Sequence, residues 1–178
     1  MQANTQNYIV SDKAKRISIA LIAVGIIAVV AGFLTGHAER TWANLLTSSY
    51  FFTCITLGGI MFCAIQYVAQ AGWSVVVVRI AQAFSAVQPV AAIILLLVVG
   101  GGLATHNLYH HWADPALTDP SSPEFDEIIA GKSSFLNVPF FITRLVIYMV
   151  VWGGLGYYMR KLSHQEDIEG GMKFYKKN

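Results

Sequence analysis

Formal charge is scarce in this chain of 178 residues: Asp, Glu, Lys and Arg make up 12% of it, against 55% hydrophobic residues. Soluble domains carry roughly 25% charge, and the mean hydropathy of +0.53 departs in the same direction. An ordinary water-soluble globule is therefore excluded. Cysteine is limited to Cys54 and Cys63. On a helix, steps of about 100° per residue put these two on opposite faces. They cannot bond to each other, and no exposed pair exists for disulfide exchange with a quinone. They read as small buried fillers. The apolar runs lack two-residue alternation, which excludes a β-barrel. No internal repeat or low-complexity tract is present, and no acidic residue falls inside an apolar run. Gly58-Gly59, Gly100-Gly101-Gly102 and Gly153-Gly154 lie within such runs and are not phosphate loops, since no strand precedes them. Their expected role is close helix approach. No cleavable export signal is expected, because the first apolar run follows a polar segment and lacks a small-x-small site.

What is present is four apolar runs of the length that a hydrocarbon core demands of a helix, residues 17–35, 50–68, 85–103 and 140–158. Backbone amides in lipid must be satisfied within each segment, so each run is expected to be a helix. The fold class is all-α, a polytopic transmembrane bundle of four spans. Basic residues sort by connection. Lys13, Lys15 and Arg16 precede the first run, Arg79 lies between the second and third, and Arg160, Lys161, Lys173, Lys176 and Lys177 follow the fourth. The excess of positive charge predicts that the tails, 1–16 and 159–178, are both cytoplasmic. The connection 106–138, with Lys132 against Asp114, Asp119, Glu124, Asp126 and Glu127, then faces a periplasm or its equivalent. Trp42 and Trp112 fall at the outer boundary and Trp73 at the inner one, while Trp152 lies well inside the fourth run.

Short links predict that the first three helices are antiparallel neighbours. Thr41 is a candidate N-cap for an early start of the second helix. The stretch 75–84 is apolar apart from Arg79 and Gln82, which suggests a helix along the inner surface before Pro89 bends the chain into the membrane. Pro115, Pro120 and Pro123 punctuate the connection 106–138 and point to turns.

Candidate chemistry is confined to two places. His106 and His110 share a face if the third helix continues outward, a spacing open to metal or haem, to hydrogen bonding at an interface, or to proton handling. Haem would need a facing imidazole at matching depth, yet His37 and His164 lie in connections on opposite sides. A metal would need Asp114 or Asp126 to fold back. Arg144 sits one turn into the fourth run, where it either snorkels to head groups or pairs with Asp126 or Glu127. Together His106, His110, Asp126, Glu127, Lys132 and Arg144 form a candidate outer vestibule for protons. On the inner half, Gln66 and Gln70 at i, i+4 and Gln82, Ser85 and Gln88 form a candidate polar seam, which either glues the helices or carries water.

Three strings carry a resemblance. They are Gln66-Tyr67-Val68-Ala69-Gln70-Ala71-Gly72-Trp73, then His106-Asn107-Leu108-Tyr109-His110-His111-Trp112, and then Asp126-Glu127-Ile128-Ile129 followed by Lys132-Ser133-Ser134-Phe135-Leu136-Asn137-Val138-Pro139-Phe140-Phe141 and Arg144. Together they resemble the ActF-type membrane subunit of bacterial alternative complex III, a relative of NrfD-like subunits. The resemblance runs from the first helix to the end of the chain. It implies a multi-pass subunit of a quinol:electron-acceptor oxidoreductase in a bacterial inner membrane. Quinol is the substrate of that complex, and a sister NrfD-like subunit is implied as the main place of its oxidation. Iron–sulphur clusters and c-type haems belong to partner subunits, so no cofactor is expected on this chain. Its role is implied to be scaffolding and proton conduction. The family's subunits are longer, so the sequence corresponds to their N-terminal part. A purely structural subunit and a small transporter are the alternative classes, and no nucleic-acid partner is expected.

Overall fold

The computed structural model describes residues 10–169. Four long helices dominate: α1 (Asp12–Leu34), α2 (Ala38–Val68), α3 (Val78–Ala104) and α6 (Val138–Glu169), with the short α4 (His110–Ala113) and α5 (Glu127–Gly131) between the last two. No strand occurs among the described residues. All four long helices are long and apolar enough to cross a membrane. At 1.5 Å per residue the 31 residues of α2 extend about 46 Å, more than a hydrocarbon core of about 30 Å, so its ends reach beyond the apolar run.

The packing is inverted relative to a water-soluble protein. The buried side of α2 is Ser49, Thr53, Thr56, Gly59, Ile60, Cys63 and Gln66. These positions recur at steps of three and four, as one helix face requires. The matching face of α3 carries Gln82, Ser85 and Gln88 in one half, and Ala91, Ala92, Leu95, Val99 and Gly102 in the other. Large aliphatics such as Leu21, Ile27, Ile93 and Leu97 point outward. Lipid is as apolar as leucine, so there is no penalty for exposing them and no gain in burying them against each other. Small and polar side chains are what two helices can usefully exchange. The α2 hydroxyls are satisfied locally: Ser49 Oγ donates to the Leu46 carbonyl at 3.1 Å, Thr53 Oγ1 to Ser49 at 2.8 Å and Thr56 Oγ1 to Thr53 at 2.8 Å.

Glycine sets how near the helices come. A Cβ on Gly59 would stand 2.7 Å from the Ala81 carbonyl oxygen of α3, and one on Gly153 of α6 would stand 2.8 Å from Gln88 Oε1. Each glycine pair thus contributes one contact residue, since Gly58 and Gly154 have open space where a Cβ would be. In the triplet, Gly101 lies under the Trp42 ring and Gly102 under Leu108, while Gly100 is open.

α1 meets α2 at the turn that joins them, where Gly32 lies against Thr41 and the Phe33 and Trp42 rings sit 5.3 Å apart. None of its residues is buried. The close antiparallel pair is therefore α2 with α3, and α6 packs against both. Two contacts fix the ends. Trp42 over Gly101 brings the α1–α2 turn and the end of α3 together, and an ion pair between Arg79 and Asp167 brings the start of α3 to the end of α6.

Three local expectations are corrected. α2 begins at Ala38 after His37, and Thr41 lies inside its first turn with Oγ1 donating to the His37 carbonyl at 2.9 Å. Its hydroxyl is therefore spent on that carbonyl and is not a cap. The stretch after α2 is a 3₁₀ turn, Gly72–Val76, and α3 then runs unbroken from Val78 through Pro89. The stretch 75–84 is thus divided between that turn and the start of α3, and Pro89 does not interrupt the helix. Cys54 is exposed, so of the two cysteines only Cys63 fills the core, beside Ile60, Ala81 and Met159. The tail lysines 173, 176 and 177 lie outside the described residues.

Gly59→Ala should lower stability in detergent by about 1–3 kcal/mol, because the methyl group has no room against α3. Gly58→Ala, with open space, should be neutral or slightly stabilising. Thermal unfolding of the two variants side by side measures the difference.

Candidate functional site

The polar seam forms where α2, α3 and α6 converge near the Arg79 end. Gln82 is its hub. Its Oε1 accepts from Arg79 Nη1 at 2.9 Å, and its Nε2 donates to the Tyr67 hydroxyl at 3.2 Å. Tyr67 also meets the Ser163 side chain of α6, and Arg79 pairs with Asp167 one turn beyond Ser163. Ser85 Oγ turns back to the Gln82 carbonyl at 2.8 Å. Further in, Gln88 is 1% exposed and reaches across to α6, with Nε2 3.5 Å from the Met149 carbonyl oxygen. From Arg79 to Gln88 the seam rises about 14 Å along α3, close to half of a hydrocarbon core. Gln66 joins it from α2, 8% exposed, and its buried Oε1 has no hydrogen-bond partner among the described residues. A buried carbonyl without a donor is costly unless water reaches it.

Four of the five expected seam residues, Gln66, Gln82, Ser85 and Gln88, are buried, and Gln70 is not. It stands beyond α2 with φ +49°, exposed. The cause is a Schellman stop: the Gln70 amide donates to the Tyr67 carbonyl at 3.2 Å and the Ala71 amide to Gln66 at 3.1 Å. α3 ends the same way. The His106 amide donates to Leu103 at 3.1 Å and the Asn107 amide to Gly102 at 3.0 Å, with His106 at φ +54°. The third helix therefore does not continue outward, and His106 and His110 do not share a helix face. His106 is exposed on the stop itself, and His110 opens α4 with its side chain outside the described residues.

The connection 106–138 is built around carboxylates that accept from backbone amides. Asp114 accepts from Ala116 N at 2.9 Å, Asp119 from Ser121 N at 2.9 Å and Ser121 Oγ at 2.7 Å, and Asp126 from Ile128 N at 2.8 Å and Ile129 N at 3.2 Å. Asp126 is thereby the N-cap of α5. The Ser121 hydroxyl and amide hold the Asp119 carboxyl below its usual range. Tyr109, at φ +61°, lays its ring against Trp112 and Phe141, each 5.6 Å away, and burial pushes its phenol up. Glu127 and Lys132 are exposed. Arg144 pairs with neither Asp126 nor Glu127. Its guanidinium lies over the Phe135 ring at 3.8 Å and the Phe140 ring at 4.7 Å. No ion pair joins the vestibule candidates among the described residues. No group of three His, Cys, Asp or Glu side chains able to hold a metal occurs among the described residues.

Sequence reasoning missed several members of the polar contact. Ser49, Thr53 and Thr56 extend the polar face of α2 past the midpoint, and Tyr67, Ser163 and Asp167 complete the seam's end. The hydroxyls at 49, 53 and 56 do carry a signal, since their steps of four and three put them on one face of an otherwise apolar run. The join between Arg79 and Asp167 carries none.

The fold and this seam define an all-helical chain with four helices able to span a membrane and an internal polar contact reaching partway across. Compared with known proteins, the chain matches no family model, and no curated protein is significantly similar to it.

Two measurements probe these local structures. Gln70→Gly should raise stability by about 1 kcal/mol, because glycine adopts the left-handed stop without strain. The depressed Asp119 carboxyl stabilises its turn above the unfolded carboxylate pKa, and that support is lost as pH falls through the lower folded value. Ser121→Ala should move the Asp119 titration, followed by carboxyl carbon resonances, back up toward the ordinary range.

Proposed function

We propose that this chain is a non-redox integral membrane subunit of a respiratory quinol:electron-acceptor oxidoreductase, supplying scaffold helices and part of a proton route coupled to quinol oxidation. In this reading it is a multi-pass protein of a bacterial inner membrane beside a sister NrfD-like subunit. Quinol is the substrate of the assembly, while iron–sulphur clusters and c-type haems sit on partners. Support for the class comes from the three strings that resemble the ActF-type subunit. The distribution of basic residues supports a cytoplasmic position for the Arg79 end and both tails, and an outward one for the connection 106–138.

The observation that carries the chemical part is the buried seam of Gln66, Gln82, Ser85 and Gln88, with Tyr67 and the Arg79–Asp167 pair at its mouth. Amides and hydroxyls both donate and accept, so with intervening water they form a relay without a buried charge. The unpartnered Gln66 oxygen is a place where such a water gains a hydrogen bond. His106, His110, Glu127 and Lys132 lie at the opposite end, where the proposal has protons leave. A purely structural role is favoured by a different observation, that Asp114, Asp119 and Asp126 are all occupied with backbone amides.

Purification from native membranes in mild detergent tests the class. Companions bearing iron–sulphur clusters and covalent haem are expected, and recovery as a lone homo-oligomer would overturn the assignment. Within an intact complex, Gln82→Leu should lower the number of protons released per quinol oxidised. Unchanged stoichiometry with normal assembly would return the chain to the structural role.

A further inference from the structure

Arg144 carries a permanent charge seven residues into α6, about 9 Å along the axis from Val138. Its side chain runs back toward the loop end, since the guanidinium lies over Phe135, which precedes the helix, and over Phe140 in its first turn. The two rings are 5.6 Å apart and steeply inclined, so they form a cradle that covers the flat of the guanidinium and orients it. Its hydrogen-bonding edge is unused. Nε is buried without a partner, and no hydrogen bond or ion pair takes the terminal nitrogens among the described residues. Of the two acids offered by the sequence, Asp126 is occupied by the Ile128 and Ile129 amides, and Glu127 is exposed and forms no ion pair with Arg144. A fixed cation at the edge of a span with its donors free calls for an anion.

The surface below says which kind. Positions three, four and seven residues after Arg144 lie on the same face of α6, and they are Ile147, Tyr148 and Val151, all more than half exposed. One helix face therefore presents a cation at the loop end and a greasy strip running from it toward the middle of the span. That order, anion above and hydrocarbon below, is the order of groups in a phospholipid.

We propose that Arg144 with Ile147, Tyr148 and Val151 forms a binding site for one phospholipid, the guanidinium holding its phosphate in the plane left open by the Phe135–Phe140 cradle and the strip holding an acyl chain. The proposal is independent of the proton route and of the respiratory assignment.

Native mass spectrometry of the full chain in nonionic detergent, titrated with dioleoylphosphatidylglycerol or with dioleoylglycerol, tests it. The wild-type chain should bind the phosphate-bearing lipid about tenfold more tightly than the glycerol lipid, the factor that a charge-assisted hydrogen bond confers. Arg144→Leu should remove that preference, and Arg144→Lys, which keeps the charge, should retain most of it. If Arg144→Leu fails to fold, the wild-type comparison of the two lipids decides alone. Equal binding of both lipids by the wild-type chain would overturn the proposal, as would an undiminished preference in a folded Arg144→Leu chain. Displacement of the lipid by millimolar inorganic phosphate would show an ion site rather than a lipid site and also overturn it. So would a variant that keeps its lipid but loses a companion protein, since the arginine would then serve a partner's carboxylate.

Discussion

The contact between α2 and α3 is the interaction on which the rest of the structure depends. In hydrocarbon, burying leucine against leucine gains nothing over leaving it in lipid, so two helices are held by closeness and by polar exchange. Gly59 supplies the closeness, bringing the backbone of α2 to the Ala81 carbonyl of α3. Ser49, Thr53, Thr56 and Gln66 on one side, with Gln82, Ser85 and Gln88 on the other, supply a polar surface that lipid would not solvate. α6 is added through Gln88 at Gly153 and through Tyr67 at Ser163. α1, which buries nothing, shares only the turn and the Phe33–Trp42 contact.

The buried polar groups are unevenly spread along the contact. The seam is dense where Arg79 and Asp167 anchor it and thins toward Gln88. Beyond that, the hydroxyls of α2 bond to their own helix and α3 turns to alanine, leucine and valine. At the far end, the acidic connection spends its aspartates on shaping turns. A loop rich in prolines has few amide-to-carbonyl ladders available, and carboxylates accepting from exposed amides take their place. Charge in that loop is therefore partly architecture, which separates Glu127 and Lys132, exposed and uncommitted, from Asp114, Asp119 and Asp126.

Several features were legible in the sequence for direct physical reasons. The four long helices follow from apolar length, and the opposed faces of Cys54 and Cys63 follow from helical pitch. Burial of Gln66, Gln82, Ser85 and Gln88 was legible because polar side chains in an apolar run avoid lipid. The failures share a cause. Gln66 with Gln70 and His106 with His110 were paired on helices assumed to continue, yet each helix stops in a left-handed residue that is itself one of the partners, Gln70 after α2 and His106 after α3. Glycine usually marks such a stop, as Gly36 does after α1, and neither glutamine nor histidine announces one. Arg144 was expected to find either head groups or a carboxylate, and the aromatic cradle that it uses was not foreseen. Phe135 and Phe140 straddle the helix start, and only the turn between them brings both rings under one guanidinium.

The sequence by itself determined how many helices can live in a membrane and which parts of them cannot face lipid, because both depend on the solvation of each residue taken in turn. Tertiary structure decided which polar groups are partners, which carboxylates are consumed by the backbone, and where each helix ends. Those outcomes depend on distances between residues as far apart in the chain as Arg79 and Asp167, and no local propensity encodes a distance across the fold.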